Sequence, residues 1–522
     1  MNQNRKKRFV IVGLIVLIVA IAIFAIVFTS VFADGRNEKK DRSAEQNANN
    51  AYASYVAQKP AHTGGMFLYE TKGRAVTIAD SKVTGIYQSV DEAKSAMFGD
   101  KAGDYSAKEV SQGLFLLTQT DDPYIHAVPE SQGVKNAIAR AYQLADLQWT
   151  PEGGVVPGVV SKNGEFTVIS HEDGVTYQGV PYSGTTATDT YLGMNVSLVS
   201  FMSALKNPNS VLYTENLFST NPKAASYFGT VCSKFVQHAL DIPGSYNSLN
   251  VPKITNVKTI AAAGKYTVDQ IKLGDIVVDP DVHTTICTGI LYDTDGNVAF
   301  VEISEAVLPR ARRKLWSTEE FYDHFANYRL CRYTLIDGVP AAPEMPTGNE
   351  TYALMTRFGD KYNFTVSEEK GIVDILEDGY SKAVILRDSV KINEIPLDDA
   401  TKTFEFDRSV PGKLEMYLEK ADGTRSGSIF AYVVKSSITV TDYSKIFSGM
   451  LDVTFEGSHG TPVYVEVGTA QNIFCSIEDT TDGKATIIFP AAGLTLQKTK
   501  LRVAYQNEYG IYLSPWTGIT MD

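Results

Sequence analysis

Cysteine is scarce in this sequence. Its 522 residues include four cysteines, and no two of them form a Cys-x-x-Cys pair. This pattern excludes the usual spacing of a zinc site or a redox dithiol, and so low a density argues against a disulfide framework. Each cysteine is therefore either a small buried hydrophobe or a reactive group. We expect the buried role for the three that lie in strand-like apolar runs, Cys287, Cys331 and Cys475.

Positive charge is also in short supply. Lysine and arginine together number 48, against 60 aspartate and glutamate residues, and the net charge is −12. This balance argues against nucleic acid as a partner, because phosphate binding requires a basic surface. One local exception is PRARRKLW, from Pro309 to Trp316. We interpret this run as a solvated loop or helix start, with attraction of acidic polymers as the alternative.

The first 33 residues have the pattern of a membrane anchor. A basic flank over residues 2–8 precedes an apolar run from Phe9 to Ala33, which is long enough to span about 30 Å of hydrocarbon as a helix. The basic flank predicts a single-pass protein whose remaining chain is extracytoplasmic. Secretion after cleavage near Ala33 is the alternative. Residues 34–50 are polar and without apolar period, which predicts a disordered stalk.

The rest of the chain divides into regions of different pattern. Residues 51–130 mix strand-like and helical segments and predict an α/β region of unknown role. Residues 131–336 mix strands and helices and contain the candidate site, and residues 337–350 form a Pro- and Gly-rich linker. Short alternating segments separated by Asp-Gly pairs then predict two Ig-like β-sandwich modules, 351–435 and 436–522, with a carbohydrate or protein as their ligand.

The segment GTVCSKFVQHAL, from Gly229 to Leu240, predicts a short amphipathic helix that starts near a cysteine. Thr230 is the expected N-cap, and apolar residues follow at helical spacing. Cys232 then lies in the first turn, where unpaired N–H groups and the helix dipole favour a thiolate and could hold an oxyanion. Position alone leaves a nucleophile and a core residue equally open. A nearby base must decide between them.

His283 is the better candidate for that base. His238 is closer in sequence but lies roughly 240° around the helix from Cys232, which predicts a surface or packing role. His283 opens the strand-like HTTICTGIL. A cysteine at a helix start with a histidine at a strand start about fifty residues later is the arrangement expected of thiol proteases. Glu302, in the strand-like VAFVEIS, is predicted to orient the imidazole, and an exposed strand position is its alternative role.

The order of these motifs resembles that of the NlpC-type cysteine peptidases, which are papain-like bacterial cell-wall enzymes. The resemblance covers about Ser131 to Tyr333 and rests on GVPYSG, VCSKFV, LGDIVV and the strand led by His283. It implies an α+β papain-like fold, cleavage of peptidoglycan stem peptides through an acyl-enzyme, and no metal or cofactor. The site residues that it implies are Cys232 as nucleophile, His283 as general base, Glu302 as orienting residue, and Tyr182 and Ser233 as substrate contacts.

Two features support alternative hypotheses. Val231, Lys234 and Glu302 stand where the family commonly has Asp, Gly, and His, Asn or Gln. These departures favour a non-catalytic adhesion or scaffold protein with a degenerate papain-like domain. The insertion 185–228 contains the apolar NVSLVSFMSAL, which predicts a flap packed on the domain. If it covers the cleft instead, a hydrolase or acyltransferase acting on lipid-linked amides is the third hypothesis.

Overall fold

The computed structural model describes residues 37–518, except 72, 185–197, 209, 243–245, 255, 346–352, 357–360, 443–449, 459, 469–472, 477–483, 489–499 and 508–509. The predicted anchor from Phe9 to Ala33 lies outside the described residues. Within them, no helix combines the length and the apolar character that a membrane crossing requires. The prediction of a single-pass membrane location is corrected on this finding.

The described chain forms two compact units. The first holds the described residues up to Val128 together with Ile290–Ala299, and the second holds the remainder. Short 3-10 helices accompany the longer elements of both units and span Pro60–His62, Gly99–Asp104, Leu217–Ser219, Val251–Lys253, Val268–Gln270 and Ile336–Gly338.

The first unit is an antiparallel sheet with helices on both faces. Helix α1 covers residues 37–58 and α2 covers Val90–Phe98. The strands are β1 (Met66–Thr71), β2 (Arg74–Ala79), β3 (Lys82–Tyr87), β4 (Tyr105–Ser111), β5 (Leu114–Gln119) and the short β6 (Ile125–His126). The sheet has the order β3-β2-β1-β5-β4, and β6 pairs with Leu291 and Tyr292. Phe67 packs with α1 and Leu68 with α2, because neighbouring strand residues point to opposite faces.

The prediction of a disordered stalk over residues 34–50 is wrong for its described part. Residues 37–50 belong to α1. Ala44, Ala48 and Tyr52 are at most 7% exposed. Their spacing of four places them on one helical face, and two of these residues are alanines, so little hydrophobicity marks the segment in the sequence. Packing against the sheet, rather than the helix's own composition, orders this segment.

The first half of the second unit carries the candidate site. Its helices are α3 (Gln132–Ala145), α4 (Leu198–Ala204), α5 (Val211–Thr214), α6 (Cys232–Leu240) and α7 (Thr318–Phe325). Its strands are β7 (Gln148–Trp149), β8 (Val156–Lys162), β9 (Glu165–His171), β10 (Tyr177–Gln178), β11 (Val257–Ala261), β12 (Ile276–Asp279), β13 (His283–Tyr292), β14 (Val298–Ala306), β15 (Ala311–Ser317) and β16 (Arg329–Tyr333). The end of β13 from Ile290 and the start of β14 up to Ala299 are counted with the first unit. The main sheet has the order β11-β16-β12-β13-β14-β15, and two hairpin-like pairs, β7–β10 and β8–β9, stand apart from it. Apolar residues of α3, α6 and this sheet share one core.

Two β-sandwiches follow. In the first, a sheet of order β17-β19-β22 and a sheet of order β18-β24-β23-β20-β21 enclose one core. Its strands are β17 (Leu354–Thr356), β18 (Lys361–Thr365), β19 (Gly371–Ile375), β20 (Lys382–Arg387), β21 (Val390–Pro396), β22 (Thr403–Phe406), β23 (Gly412–Glu419) and β24 (Ile429–Val434). In the second, β25-β26-β29 and β28-β27-β30-β31 enclose another core, and β32 pairs with β30. Its strands are β25 (Ser436–Asp442), β26 (Met450–Gly457), β27 (Thr461–Gly468), β28 (Ile473–Ser476), β29 (Lys484–Ile488), β30 (Lys500–Asn507), β31 (Gly510–Leu513) and β32 (Thr517–Gly518).

The predicted fold class is wrong. The sequence predicts a papain-like α+β domain, two Ig-like sandwiches and a transmembrane helix. The described residues instead form eight small, mostly antiparallel sheets, and the helices beside the main sheet are short, with 14 residues in α3 and 9 in α6. Short alternating segments dominate the described chain, and they form strands that pair with neighbouring strands. Few segments are left that could form a large layer of helices. No clear papain-like α+β domain results.

Candidate active site at Cys232 and His283

Helix α6 begins directly at Cys232. Its N-cap is Val231, an extended residue that makes no side-chain cap hydrogen bond. The predicted N-cap, Thr230, lies one residue too early. Its backbone forms an isolated bridge with Tyr182, which fixes it in an extended segment before the helix can start. Cys232 is therefore the first helical residue, where the N–H groups of the first turn lack intrahelical acceptors and favour a negative charge.

The rest of α6 anchors the cysteine to the core. Phe235, Val236, Ala239 and Leu240 are fully buried. Cys232 itself is 8% exposed, so it lies at the margin of this apolar face. Cys232 borders the core and also faces His283 and Ser248.

His283 meets Cys232 from the start of β13. The two side chains share a hydrogen bond. The imidazole is 13% exposed, and its other ring nitrogen, Nε2, lies 2.9 Å from Oε2 of a buried glutamate, Glu305. Nδ1 is then the nitrogen that faces the sulfur. The sequence prediction that Cys232 and His283 come together agrees with this geometry.

The predicted orienting residue, Glu302, is corrected to Glu305. Both glutamates lie on β14, but they are three positions apart, so their side chains point to opposite faces of the strand. On its own face, Glu302 accepts hydrogen bonds from the Tyr142 hydroxyl at 2.6 Å and the Thr288 hydroxyl at 2.9 Å. Arg313 also donates to it at 3.2 Å. Glu302 therefore belongs to a separate polar cluster and does not contact His283.

Glu305 is itself held by an arginine that sequence reasoning did not connect to the site. Glu305 is 1% exposed, and its second oxygen, Oε1, accepts from Arg312 at 2.9 Å. Arg312 lies directly opposite on the neighbouring strand, since β14 and β15 pair Glu305 with Arg312. A buried carboxylate requires such partners to remain charged. The four side chains form one chain of contacts: Cys232, His283, Glu305 and Arg312.

The charges in this chain reinforce one another. Burial acts to raise the pKa of the Cys232 thiol, but the hydrogen bond and charge of His283 and hydrogen bonds from Ser248 and the Thr284 backbone hold it below its ordinary value. Burial acts to lower the pKa of His283, yet Cys232 and Glu305 raise it to about 9. For Glu305, burial is outweighed by His283 and Arg312, and its pKa is lowered. Both shifts act in the direction of a thiolate beside an imidazolium.

A serine hydroxyl completes the surroundings of the sulfur. Ser248 Oγ lies 3.5 Å from Cys232 Sγ. No sequence pattern indicated Ser248, because it comes from the loop after α6 rather than from a helix or strand. Ser248 lies in the described segment 246–250, which is bonded to α6 through Tyr246 and Gln237.

The two predicted substrate contacts have different surroundings. Tyr182 lies close to the sulfur: burial raises its pKa, and the charge of Cys232 raises it further. Ser233 is 4% exposed, and its carbonyl accepts a hydrogen bond from the Gln237 amide at 2.9 Å. The buried position of Ser233 does not agree with a side-chain contact to substrate. Tyr182 retains the position expected of a site residue.

The remaining candidate groups lie in packed surroundings. Cys287 and Cys331 are fully buried, as expected, and burial raises the pKa of both thiols. The side chain of Cys475 lies outside the described residues. His238 packs inside the protein, where burial and then Arg140 lower its pKa to about 3. No group of three or more His, Cys, Asp or Glu side chains in the described part of the chain could hold a metal ion.

The described part of the insertion 185–228 packs on the core. Phe201 is 1% exposed and makes an edge contact with Trp149, at 5.2 Å between ring centroids. Ala204, Leu205 and Leu212 are buried in the same cluster. The beginning of the insertion, residues 185–197, lies outside the described residues. The visible role of this segment is that of a packed flap.

Comparisons with known proteins add little to this geometry. No family model matches the chain, and no curated protein matches it. Among solved structures, it is similar to fibronectin(III)-like modules of Clostridium thermocellum CbhA, with 12% identity, a TM-score of 0.17, and coverage of 30% of this chain and 86% of that one. A tandem of titin Ig domains gives 10% identity, a TM-score of 0.14, and coverage of 31% and 93%. A bacterial ice-binding adhesin gives 11% identity, a TM-score of 0.14, and coverage of 31% of this chain and 60% of that one. TM-scores this low establish neither a shared fold nor a shared function.

Proposed function

We propose that this chain is a cysteine hydrolase that cleaves an amide bond, with Cys232 as nucleophile, His283 as general acid and base, and Glu305 as the orienting carboxylate. One observation carries the proposal: the continuous contact from the sulfur through the imidazole to a buried, arginine-bound carboxylate. A cysteine that served only as a core residue would need none of these partners. A nucleophile needs a base within hydrogen-bond reach and a third group that orients the base.

The geometry supports acyl transfer through a thioester. The Cys232 thiolate attacks the amide carbonyl, and the N–H groups at the start of α6 stabilise the oxyanion. His283, already protonated, gives its proton to the leaving nitrogen as the carbon–nitrogen bond breaks. A water molecule then loses a proton to His283 and attacks the thioester. The carboxylic acid product leaves, and the thiolate–imidazolium pair is restored.

The substrate class rests on the sequence resemblance. The motifs around Gly179–Gly184, Cys232 and His283 resemble those of NlpC-type peptidases, which favours a peptide amide such as that of a peptidoglycan stem. Tyr182, beside the sulfur, supports the same assignment. The packed position of Phe201 in the insertion gives no support to the lipid-amide alternative, in which this segment would cover the cleft.

Thiol labelling and substrate cleavage together test the proposal. We expect iodoacetamide at pH 6 to modify Cys232 rapidly, because a paired thiolate reacts well below the ordinary thiol range. Purified wall fragments and lipid amides should be incubated with the wild type, with Cys232→Ala and with Cys287→Ala as a control in a cysteine away from the site. Release of stem peptides by the wild type and the control alone supports the proposal. Slow labelling with ordinary thiol pH dependence, and release from neither substrate, would contradict it.

A non-catalytic adhesion or scaffold role is the second candidate. The observation that favours it is the presence of two sandwiches with separate cores, which together account for the described residues from Ala353 onward. Such modules commonly space or bind, although architecture alone does not determine a ligand. Cys232→Ala should then bind wall carbohydrate or a surface protein as tightly as the wild type does. Binding that depends on Cys232 would argue against this candidate.

A further inference from the structure

The loop that follows α6 is fixed to the helix by a buried amide. Gln237 is fully buried. Its side-chain nitrogen donates to the Ser233 carbonyl at 2.9 Å and to the Tyr246 carbonyl at 2.7 Å, and its oxygen accepts from the Tyr246 N–H at 3.1 Å. These bonds satisfy both polar ends of Gln237 without any contact to bulk water. They join the second turn of α6 to the chain two residues before Ser248.

The turn that carries Ser248 has its own internal bonds. The Asn250 N–H lies within hydrogen-bond distance of both the carbonyl and the side-chain oxygen of Asn247, at 3.0 and 3.1 Å. Asn250 is 3% exposed. The turn is therefore closed and tied to the protein on both sides of Ser248, which places the Ser248 hydroxyl within 3.5 Å of Cys232 Sγ. A hydroxyl in this position is preorganised rather than a mobile surface group.

We propose that Ser248 is a further catalytic residue, whose hydroxyl donates a hydrogen bond to the Cys232 thiolate. This inference rests on the proposed hydrolase function and adds a group that the sequence motifs did not contain. A thiolate has no proton, so the hydroxyl can only donate to it. His283 and the Thr284 N–H approach the same sulfur, and the three donors together would hold the charge of a nearly buried sulfur that water cannot solvate well.

Other groups around the sulfur remain unchanged when Ser248 is replaced. His283 faces it from β13, with Glu305 and Arg312 behind the imidazole. Tyr182 and Tyr328, from two other segments, are both close enough for the thiolate to raise their pKa. Neither tyrosine carries charge near neutral pH, and the side chains whose hydrogen bonds lower the pKa of Cys232 are His283 and Ser248. A change in thiolate reactivity in a Ser248 variant is then attributable to the lost hydroxyl.

The test compares the pH dependence of iodoacetamide labelling in the full chain. Ser248→Ala should raise the apparent pKa of Cys232 by about half to one unit and slow labelling at pH 6 about three- to tenfold. Ser248→Thr keeps the hydroxyl and should label within about twofold of the wild type. Ser161→Ala, at an exposed position on β8, is the matched control and should leave labelling unchanged. Thermal melting of each variant shows whether the turn remains folded.

The outcomes separate this inference from the proposed function. If the wild type labels slowly with ordinary thiol pH dependence, the hydrolase proposal fails. If the wild type labels rapidly at pH 6 and folded Ser248→Ala labels identically, only the role of Ser248 is overturned. A shifted profile in the alanine variant that the threonine variant restores supports the inference, because a merely structural loss would not depend on the hydroxyl.

Discussion

The two glutamates of β14 allow a sharp test, since the same substitution should slow the labelling of Cys232 at one position and leave it unchanged at the other. Glu305→Gln removes the negative charge behind His283 and keeps the shape of the side chain. Glu302→Gln makes the same change on the other face of the strand, where the partners are Tyr142, Thr288 and Arg313. Both residues lie largely inside the protein, at 1% and 16% side-chain exposure for Glu305 and Glu302.

The expected magnitude follows from the contacts of Glu305. Its bond to His283 is 2.9 Å long and charge-assisted, and such a bond contributes about 1.5–3 kcal/mol. One pKa unit corresponds to about 1.36 kcal/mol, so the pKa of His283 should fall by about one to two units in Glu305→Gln. A less basic imidazole shifts the proton equilibrium of the pair from thiolate and imidazolium toward neutral thiol and imidazole by the same factor. Labelling of Cys232 at pH 6 should slow about ten- to a hundredfold.

Glu302→Gln should leave that labelling rate within about twofold of the wild type, because nothing in its cluster contacts the imidazole. Its cost should appear in stability instead, at about 1 kcal/mol from weakened bonds to Arg313 and Tyr142. The assay is stopped-flow or mass-spectrometric labelling with iodoacetamide, with urea denaturation of each variant alongside. Equal effects on labelling, or a larger effect in Glu302→Gln, would refute the assignment of Glu305.

Two further predictions concern pH and backbone geometry. Hydrolysis needs the imidazolium to protonate the leaving nitrogen, so activity should fall as the pH rises through about 9, where His283 loses its proton. Labelling of the Cys232 thiolate should not fall in that range. A parallel decline of hydrolysis and labelling would contradict this role of His283. Gly179 has φ +84 and Gly164 has φ +82, but a Cβ at Gly179 would overlap the Ala311 carbonyl, whereas nothing lies within 4 Å of one at Gly164. Urea denaturation should therefore show that the free energy of unfolding falls by more than about 3 kcal/mol in Gly179→Ala and by about 1 kcal/mol in Gly164→Ala. Both variants have a strained backbone at positive φ, and only Gly179→Ala adds a clash. Equal losses would contradict the steric argument.

The sequence was sufficient to locate the two proposed reacting groups, because the positions of both follow from local pattern. A helix start next to an apolar stripe places Cys232, and a strand start after a turn places His283. The third residue was not local in this sense. VAFVEISEA contains two glutamates on opposite strand faces, and the register of β14 against its neighbours decides which one meets the imidazole. Glu305 shares its face with the fully buried Val301 and Ile303. A carboxylate on an apolar face is rare without a partner, and that was the available signal.

The errors in the fold have a similar origin. Residues 37–50 have the composition of a solvated segment, and only the sheet beneath Ala44 and Ala48 makes them part of a helix with a buried face. Tight hairpins also occur where no Asp-Gly pair marks them. Asp388 and Ser389 both have positive φ and join β20 to β21, and Asp80 and Ser81 do the same between β2 and β3. The hairpin strand pairs, not residue preference, select these conformations.

The alternating side-chain directions along a strand, which separate the two glutamates, also explain the basic run at Pro309–Trp316. Arg312 and Arg313 are neighbours on β15, so they point to opposite faces. Arg312 binds Glu305 at the site, and Arg313 binds Glu302 and Asp146 on the other side. The two neighbouring arginines of a run that predicts one solvated or anion-attracting patch are thus separate charge partners, Arg312 for one carboxylate and Arg313 for two. A buried carboxylate without a cation nearby tends to take up a proton itself, and it then no longer stabilises the proton on His283. Arg312 prevents this at Glu305, so that a glutamate can orient the imidazole. An uncharged orienting group would need no such cation.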